Sequence, residues 1–335
     1  MSNVTQRDVA RRAGVSYQTV SRVINKQGPV AEATRRRILE TIAELDYHPN
    51  KAARSLAARN SQTLALITSG LDYYGPTQMV INIEHAAKAA GYDLIFSNVS
   101  IPSAKSLQTA LNSIRRWRVD GILMITPIRE MSFDNTTTLH GGIPVVQING
   151  QLGGDTASVI VEQSCGSRLA TNHLIELGHQ HICEISGPLN WFDALERHES
   201  WLKTMGEAGL ESSISIAGDW SASSGYEAAQ KLLKQGVDFS ALVVANDQMA
   251  LGVILALRQH GLRIPRDVSV VGFDDIPEAA FFDPPLTTIR QDFSALGRRG
   301  IEYLVERIHN PEATVHQQII YPELIFRAST TSPQK

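Results

Sequence analysis

The chain has 335 residues, 31 basic and 34 acidic, for a net charge of −3 that by itself argues against a nucleic-acid partner. No run of about 18 apolar residues appears, so no membrane segment is expected. Two cysteines are too few for a zinc site or a disulfide framework, so Cys165 and Cys183 are expected as reduced, buried thiols, and no metal or cofactor is expected.

Residues 4–25 read as two short helices around a tight turn. Thr5 caps the first, and Asp8 three residues on completes a capping-box-like pair. Val9, Ala10 and Ala13 give an apolar face, and Gly14 supplies the backbone freedom that ends the helix. Ser16 caps a second helix, in which Val20, Val23 and Ile24 point inward while Tyr17, Gln18, Ser21 and Arg22 stay outside. This is the layout of a helix-turn-helix, whose second helix enters the major groove. Glutamine suits adenine and arginine suits guanine, because each makes two hydrogen bonds to one base edge.

A helical hairpin with a solvated polar face would show the same periodicity. Charge separates the two readings. Residues 1–61 hold 11 basic and 5 acidic residues, a net of +6, against 20 basic and 29 acidic in the rest, a net of −9. A basic head on an acidic body suits a phosphate-binding module attached to something else.

Residues 32–45 form a third periodic helix with Ile38, Ile42 and Leu45 on one stripe. After a break at Tyr47–Asn50 comes a short basic, alanine-rich segment with one large apolar residue, Leu56. Alone, so short a helix is marginal in water. It reads either as a linker or as a helix that orders on DNA, with Leu56 wedged in the minor groove.

From residue 62 onward, apolar strand-like runs alternate with amphipathic stretches. The runs are 63–68, 93–98, 121–125, 145–149, 158–161, 181–186, 241–245 and 269–273, and the helical stretches are 78–90, 106–117, 166–177, 197–208, 222–235 and 248–260. This rhythm predicts parallel sheets covered by helices, an α/β class, and its length predicts two lobes.

The motifs VSYQTVSRVIN (15–25), PNKAARSLA (49–57), GDWSASSG (218–225), ANDQMALG (245–252), VSVVGFDD (268–275) and PPLTTIRQDF (284–293) carry a resemblance over the whole chain. The chain resembles the LacI family of transcriptional regulators, and within it the lac-type repressors. The resemblance implies an all-α helix-turn-helix head over 1–46, a hinge helix over 47–61, and a two-lobe periplasmic-binding-protein-like core over 62–335. The N-lobe would take about 62–161 and 291–321, and the C-lobe about 162–290 and 322–330. The resemblance also implies a homodimer on a double-stranded, pseudo-palindromic operator. The chain shows no leucine-heptad tail before Lys335, so a dimer rather than a tetramer is expected.

By motif position, the DNA-facing set is Thr5, Ser16, Tyr17, Gln18, Ser21, Arg22 and Asn25 in the head, with Asn50, Ala53, Leu56 and Ala57 in the hinge. The effector set is Tyr73, Pro76, Met79, Asn149, Trp191, Arg197, Trp220, Asn246, Asp274, Gln291 and Phe293. A small sugar is the expected effector, because planar polar side chains grip vicinal hydroxyls and an aromatic face covers the C–H side of a ring. Asp275 reads as a helix cap. Where lac-type members carry an asparagine, an aspartate and a phenylalanine, this chain has Ile125, Asn149 and Val161. The loss of a carboxylate and an amide predicts a different hydroxyl pattern. Tyr73, Tyr74, Trp191 and Phe192 are expected to add aromatic surface at the cleft mouth, which suits a disaccharide or glycoside. A purine-type corepressor is the alternative.

No nucleophile elbow, His-Glu-x-x-His, Walker loop or Gly-x-Gly-x-x-Gly occurs, so no enzyme is expected. His179-Gln180-His181 reads as a polar turn before a strand rather than a metal chelate. A secreted sugar carrier would share the core but needs a signal peptide, and the first 14 residues hold no apolar stretch. A cytoplasmic protein is expected.

Overall fold

The computed structural model describes residues 4–25, 28–47, 61–99, 103–125, 142–150, 152–153, 156–211 and 214–334. The chain divides into two compact units, residues 1–61 and 62–335.

The first unit contains α1 (Gln6–Ala13), α2 (Tyr17–Ile24) and α3 (Glu32–Glu44). Thr5 donates its backbone N–H (2.9 Å) and its hydroxyl (2.6 Å) to the Asp8 carboxylate, so the predicted capping pair forms. Gly14 ends α1 at φ 65°, a left-handed conformation that costs glycine little. The Ser16 hydroxyl accepts the Thr19 N–H at 3.1 Å and starts α2. Val9, Val20, Val23, Ile38 and Tyr47 close the small core, with Ile42 and Leu45 packed beside them. The segment expected as hinge lies, from residue 48 to 60, outside the described residues, and Asn50, Ala53, Leu56 and Ala57 lie with it.

The second unit holds two six-stranded sheets. In one, β1 (Thr63–Thr68), β2 (Asp93–Asn98), β3 (Gly121–Ile125), β4 (Val145–Ile148), β5 (Ser158–Val161) and β11 (Gln317–Ile320) are ordered β11-β5-β4-β3-β1-β2 and pair in parallel. In the other, β6 (Ile182–Ser186), β7 (Ser215–Ala217), β8 (Ala241–Val244), β9 (Ser269–Asp274), β10 (Thr287–Arg290) and β12 (Glu323–Ile325) are ordered β12-β10-β9-β8-β6-β7. Only β12 is antiparallel there, against β10. The chain leaves the first sheet after β5, returns to it after β10 and leaves again after β11.

Helices cover both faces of each sheet, which is why the strands read as continuous apolar runs. Leu64 and Leu66 of β1 pack with Met79 and Ile83 of α4 (Tyr74–Ala89) and with Leu296 and Leu304 of α10 (Phe293–His309). Ala65 and Ile67 face the opposite way, onto Leu107 and Ile114 of α5 (Ala104–Arg115), as a period of two requires. In the second lobe, Leu242 and Val244 pack on α8 (Ala222–Lys234) and α9 (Asp247–Gln259). Val243 and Phe273 instead pack with Leu174 of α6 (Gln163–Glu176) and Trp201 of α7 (Phe192–Glu207).

Sequence reading missed α10 and the strands β7, β10, β11 and β12. Two glycines sit inside α10, where they lower helix propensity. They are there because α4 and β4 pass close: a Cβ on Gly297 would come within 2.6 Å of the Asn82 backbone, and one on Gly300 within 2.6 Å of Ile148. β7 and β12 are three residues long, and strands that short carry no legible alternation. Asp275 caps nothing: its carboxylate is bound by Arg290 and Arg327. Cys183 is buried as expected, whereas Cys165 is only partly covered. The His179 ring sits against Ser240, Ser269 and the Thr331 carbonyl, and His181 pairs with Asp238 at 2.8 Å.

Candidate functional site

A pocket lies in the cleft between the two sheets, lined by both lobes, the kind of place where small-molecule sites form. Tyr73, Tyr74, Pro76 and Met79, at the start of α4, line one side. Trp191, Asp193 and Arg197, on the first turns of α7 and its cap, line the other, with Trp220, Asn246, Asp274 and Gln291. Asn246 and Asp274 stand at the C-terminal ends of β8 and β9, where open α/β sheets place their ligands.

Arg197 anchors the polar side. Its Nε donates to Gln163 Oε1 at 2.9 Å, and one terminal nitrogen donates to the Ala245 carbonyl. The amide of Gln163 donates to Gln291, and Gln291 donates to Asp274 at 2.6 Å. Arg197 therefore reaches Asp274 twice, through this amide chain and directly at 4.0 Å. Asn246 is spent on structure: its Oδ1 caps α9 at Met249, and its Nδ2 donates to the Trp220 carbonyl.

The aromatic side is a set of edge-to-face contacts. Trp191 meets Tyr73 at 5.2 Å and Trp220 at 5.7 Å between ring centroids. Tyr73 belongs to the first lobe and Trp191 to the second, so this contact bridges the cleft. Trp191 also lies over Gly70, where any Cβ would come within 2.8 Å of the ring.

Carboxylates outnumber cations here. Burial pushes Asp193 and Asp274 each up to about 6, although the Arg197 charge and amide hydrogen bonds pull both back. Burial, then the neighbouring Asp193, raises Glu196 to about 7. Asp247, buried against Thr288 and the Ile276 N–H, is held well above the usual carboxylate range by burial and by Asp274. Trp220 (φ 77°), Asp274 (φ 110°) and Asn149 (φ 54°) all have left-handed backbones, and strain of this kind collects where a site over-determines its geometry.

In the head, Tyr17, Gln18 and Arg22 are exposed on one side of α2, opposite the buried Val20 and Val23. Thr5 and Ser16 are exposed as well. Asn25 donates to the Ser21 hydroxyl at 3.1 Å, so these two hold each other. Among the described residues, Arg22 makes no ion pair.

Residues 5–50 match the family described as bacterial regulatory proteins, lacI family, and residues 171–330 match a periplasmic binding protein-like domain. The lactose operon repressor of Escherichia coli (strain K12) is 34% identical over 99% of this chain and 92% of its own length. The chain belongs to the LacI family. It is a DNA-binding repressor of that family; its relatives are transcriptional repressors, not enzymes. The HTH-type transcriptional repressor PurR of Haemophilus influenzae (strain PittEE) is 38% identical over 98% of this chain and 99% of its own. Among solved structures, a lac repressor dimer bound to operator and the anti-inducer ONPF superposes with a TM-score of 0.93 at 34% identity, covering 98% of this chain and all of that one. The complex of the transcriptional regulator CelR with cellobiose superposes at 0.72 and 30% identity, covering 98% and 100%. Among the described residues, no helix is long and apolar enough to cross a membrane.

Of the effector positions expected from the LacI-family motifs, nine line the cavity: Tyr73, Pro76, Met79, Trp191, Arg197, Trp220, Asn246, Asp274 and Gln291. Phe293 and Asn149 do not. Phe293 belongs to the N-lobe core and touches Tyr74 edge-on at 6.1 Å. Asn149 stands behind Asp193, with its Nδ2 at 2.9 and 2.8 Å from the two carboxylate oxygens. Phe192 is buried away from the cavity, contrary to its expected place at the mouth, and Ile125 and Val161 are core residues. The carboxylate counted as lost at position 149 is thus present at 193, on the other lobe. Sequence reading passed over Asp193 because an acid in the first turn of a helix is ordinary.

Proposed function

We propose that this LacI-family repressor is released from its operator by an uncharged sugar bound between the lobes, a disaccharide or a galactoside or glucoside. The chemistry of the cleft carries the reading: one buried guanidinium and two carboxylates face a wall of two tryptophans and a tyrosine. Hydroxyls suit the first group and the C–H faces of sugar rings suit the second. The same excess of carboxylate repels phosphorylated sugars. A structural relative that binds cellobiose supports a ligand of that size. The set expected to grip the sugar is Arg197, Asp274 and Asp193, with Trp191 and Trp220 stacking.

The repressor acts in the cytoplasm as a homodimer, each head reading one half of a lac-like pseudo-palindrome through Tyr17, Gln18 and Arg22. An apolar face of the second lobe supports the dimer. Leu251 and Leu255, four residues apart on α9, are 48% and 51% exposed, and Phe281 is 87% exposed on the 3-10 turn Pro277–Phe281. Arg258 of α9 pairs with Asp283 and holds that turn beside the helix. Sugar shifts the lobes, and operator and effector oppose each other reciprocally by about 1–3 kcal/mol.

The PurR relatives favour a second reading, a purine base that strengthens operator binding. One titration separates the two. The full-length protein is bound to a labelled lac-like pseudo-palindrome at fixed salt, and cellobiose, lactose, glucose 6-phosphate, hypoxanthine or guanine is added. Release by an uncharged sugar supports the proposal. Tighter binding with a purine base, or release by glucose 6-phosphate alone, overturns it.

A further inference from the structure

Counting hydrogen-bond valences shows which groups of the cleft are free to recognise a ligand. Asn246 and Gln291 each use both ends of their amides inside the protein. Arg197 uses its Nε and one terminal N–H. What remains is the outer edge of Arg197, the Trp220 Nε1–H, which has no partner among the described residues, the second oxygen of Asp274, and the unused lone pairs of Asp193. The free capacity is of both kinds, so it calls for a ligand rich in hydroxyls, which donate and accept.

Asp193 differs from the other two because it is also a contact between the lobes. Asn149, one residue past β4 in the first lobe, is fixed in orientation: its Oδ1 accepts the Val161 N–H at 3.1 Å. Its amino group must then face Asp193, and it spans both carboxylate oxygens. An aspartate at 149 would set two carboxylates against each other, so the asparagine and the acid form a matched exchange. A second bond runs the same way, from the Leu152 N–H to Glu196. The first turns of α7 therefore carry both the ligand-facing groups Asp193 and Arg197, four residues apart on one face, and the polar bonds to the other lobe.

We propose that Asp193 couples recognition to lobe contact: a sugar hydroxyl donates to its carboxylate and competes with Asn149 for that charge, so binding loosens the Asn149–Asp193 bond. This rests on the sugar reading above. It makes Asp193 the residue that selects one particular hydroxyl, and Asn149 the donor with which that hydroxyl competes.

The test uses the full-length protein, calorimetry for sugar binding and operator anisotropy for release. The probes are cellobiose, methyl β-glucoside and the 2-, 3-, 4- and 6-deoxy derivatives of the latter. Asp193→Asn is expected to weaken binding of cellobiose and methyl β-glucoside at least tenfold. It should weaken no further the one deoxy sugar that lacks the partner hydroxyl, a pairwise coupling that a merely structural role would not produce. Asn149→Ala removes the competitor. It is expected to bind the parent sugars several-fold more tightly while each bound sugar releases less operator. Should Asp193→Asn fail to fold, this second variant still decides, because the gain must vanish for that same deoxy sugar. Equal affinities in wild type and both variants, or a loss uniform across the deoxy series, overturn the coupling while leaving the sugar reading intact. A wild type that binds no sugar in calorimetry overturns both.

Discussion

The central guanidinium carbon of Arg197 lies 3.6 Å from the centroid of the Phe273 ring. The Trp220 ring lies 5.6 Å from the same carbon. A cation so enclosed is held in one orientation by stacking as well as by hydrogen bonds, and its planar fork stays pointed at Asp274. Lysine keeps the charge but neither the fork nor the stack. Arg197→Lys is expected to weaken sugar binding by about 1.5–3 kcal/mol, the scale of a hydrogen bond to a charged group. Calorimetry on the full-length protein measures it, and unchanged affinity would place the ligand elsewhere.

A half-buried imidazole sets part of the pH dependence of stability. His198 on α7 bonds to Glu184 of β6 at 2.5 Å, and Ser215 donates to the same carboxylate oxygen. The hydrogen bond to Glu184 raises the His198 pKa, burial opposes it, and the charges of Glu184 and Glu199 add to the rise. A raised folded value means stability that is fully present below the unfolded imidazole value of about 6.5 and is lost as pH rises through the folded one. His198→Gln keeps a hydrogen-bonding group but cannot titrate. Thermal melts across that window should lose their downward slope in the variant, and parallel curves for the two proteins would refute the assignment.

Two glycines give opposite forecasts. Gly252 of α9 lies against α8, and a Cβ there would run into the Ala222 carbonyl. Gly252→Ala should cost about 1–3 kcal/mol by overpacking. Gly206, near the end of α7, has nothing within 4 Å of such a Cβ. Gly206→Ala should stabilise by roughly 0.5–1 kcal/mol through helix propensity. Melting temperatures should move in opposite directions, by about 2–4 °C per kcal/mol.

Arg22 is exposed on the outer face of α2, as a base-reading residue must be. Arg22→Ala is expected to cost about 1–3 kcal/mol of operator binding and to relax preference at a single guanine. Binding to a panel of substituted operators checks this. Uniform loss on every sequence would make Arg22 a phosphate contact instead.

Leu251 is half exposed on α9, one turn before the half-exposed Leu255. If that face joins two copies, Leu251→Arg buries an unpaired charge and splits them. Sedimentation should then show a monomer, with operator affinity falling steeply as protein is diluted. A variant that sediments as a dimer would move the interface elsewhere.

The sequence by itself determined the head and the alternation of strands and helices, while most of the cavity wall came from the resemblance to the LacI family. The head and the alternation are local: a cap at Thr5 or Ser16, an inward stripe at Val9, Val20 and Val23, and apolar runs bounded by turns are each set within a few residues of chain. Only the tertiary structure decided three others. The helix Phe293–His309 was hidden by glycines whose reason is the neighbouring Asn82 backbone, more than 200 residues away. Asp275 had the look of a cap until Arg290 and Arg327 came to it from β10 and from beyond β12. The acid missing at 149 was found at 193, because a hydrogen bond across the cleft depends on which residues two lobes bring face to face, and no spacing along the chain encodes that distance.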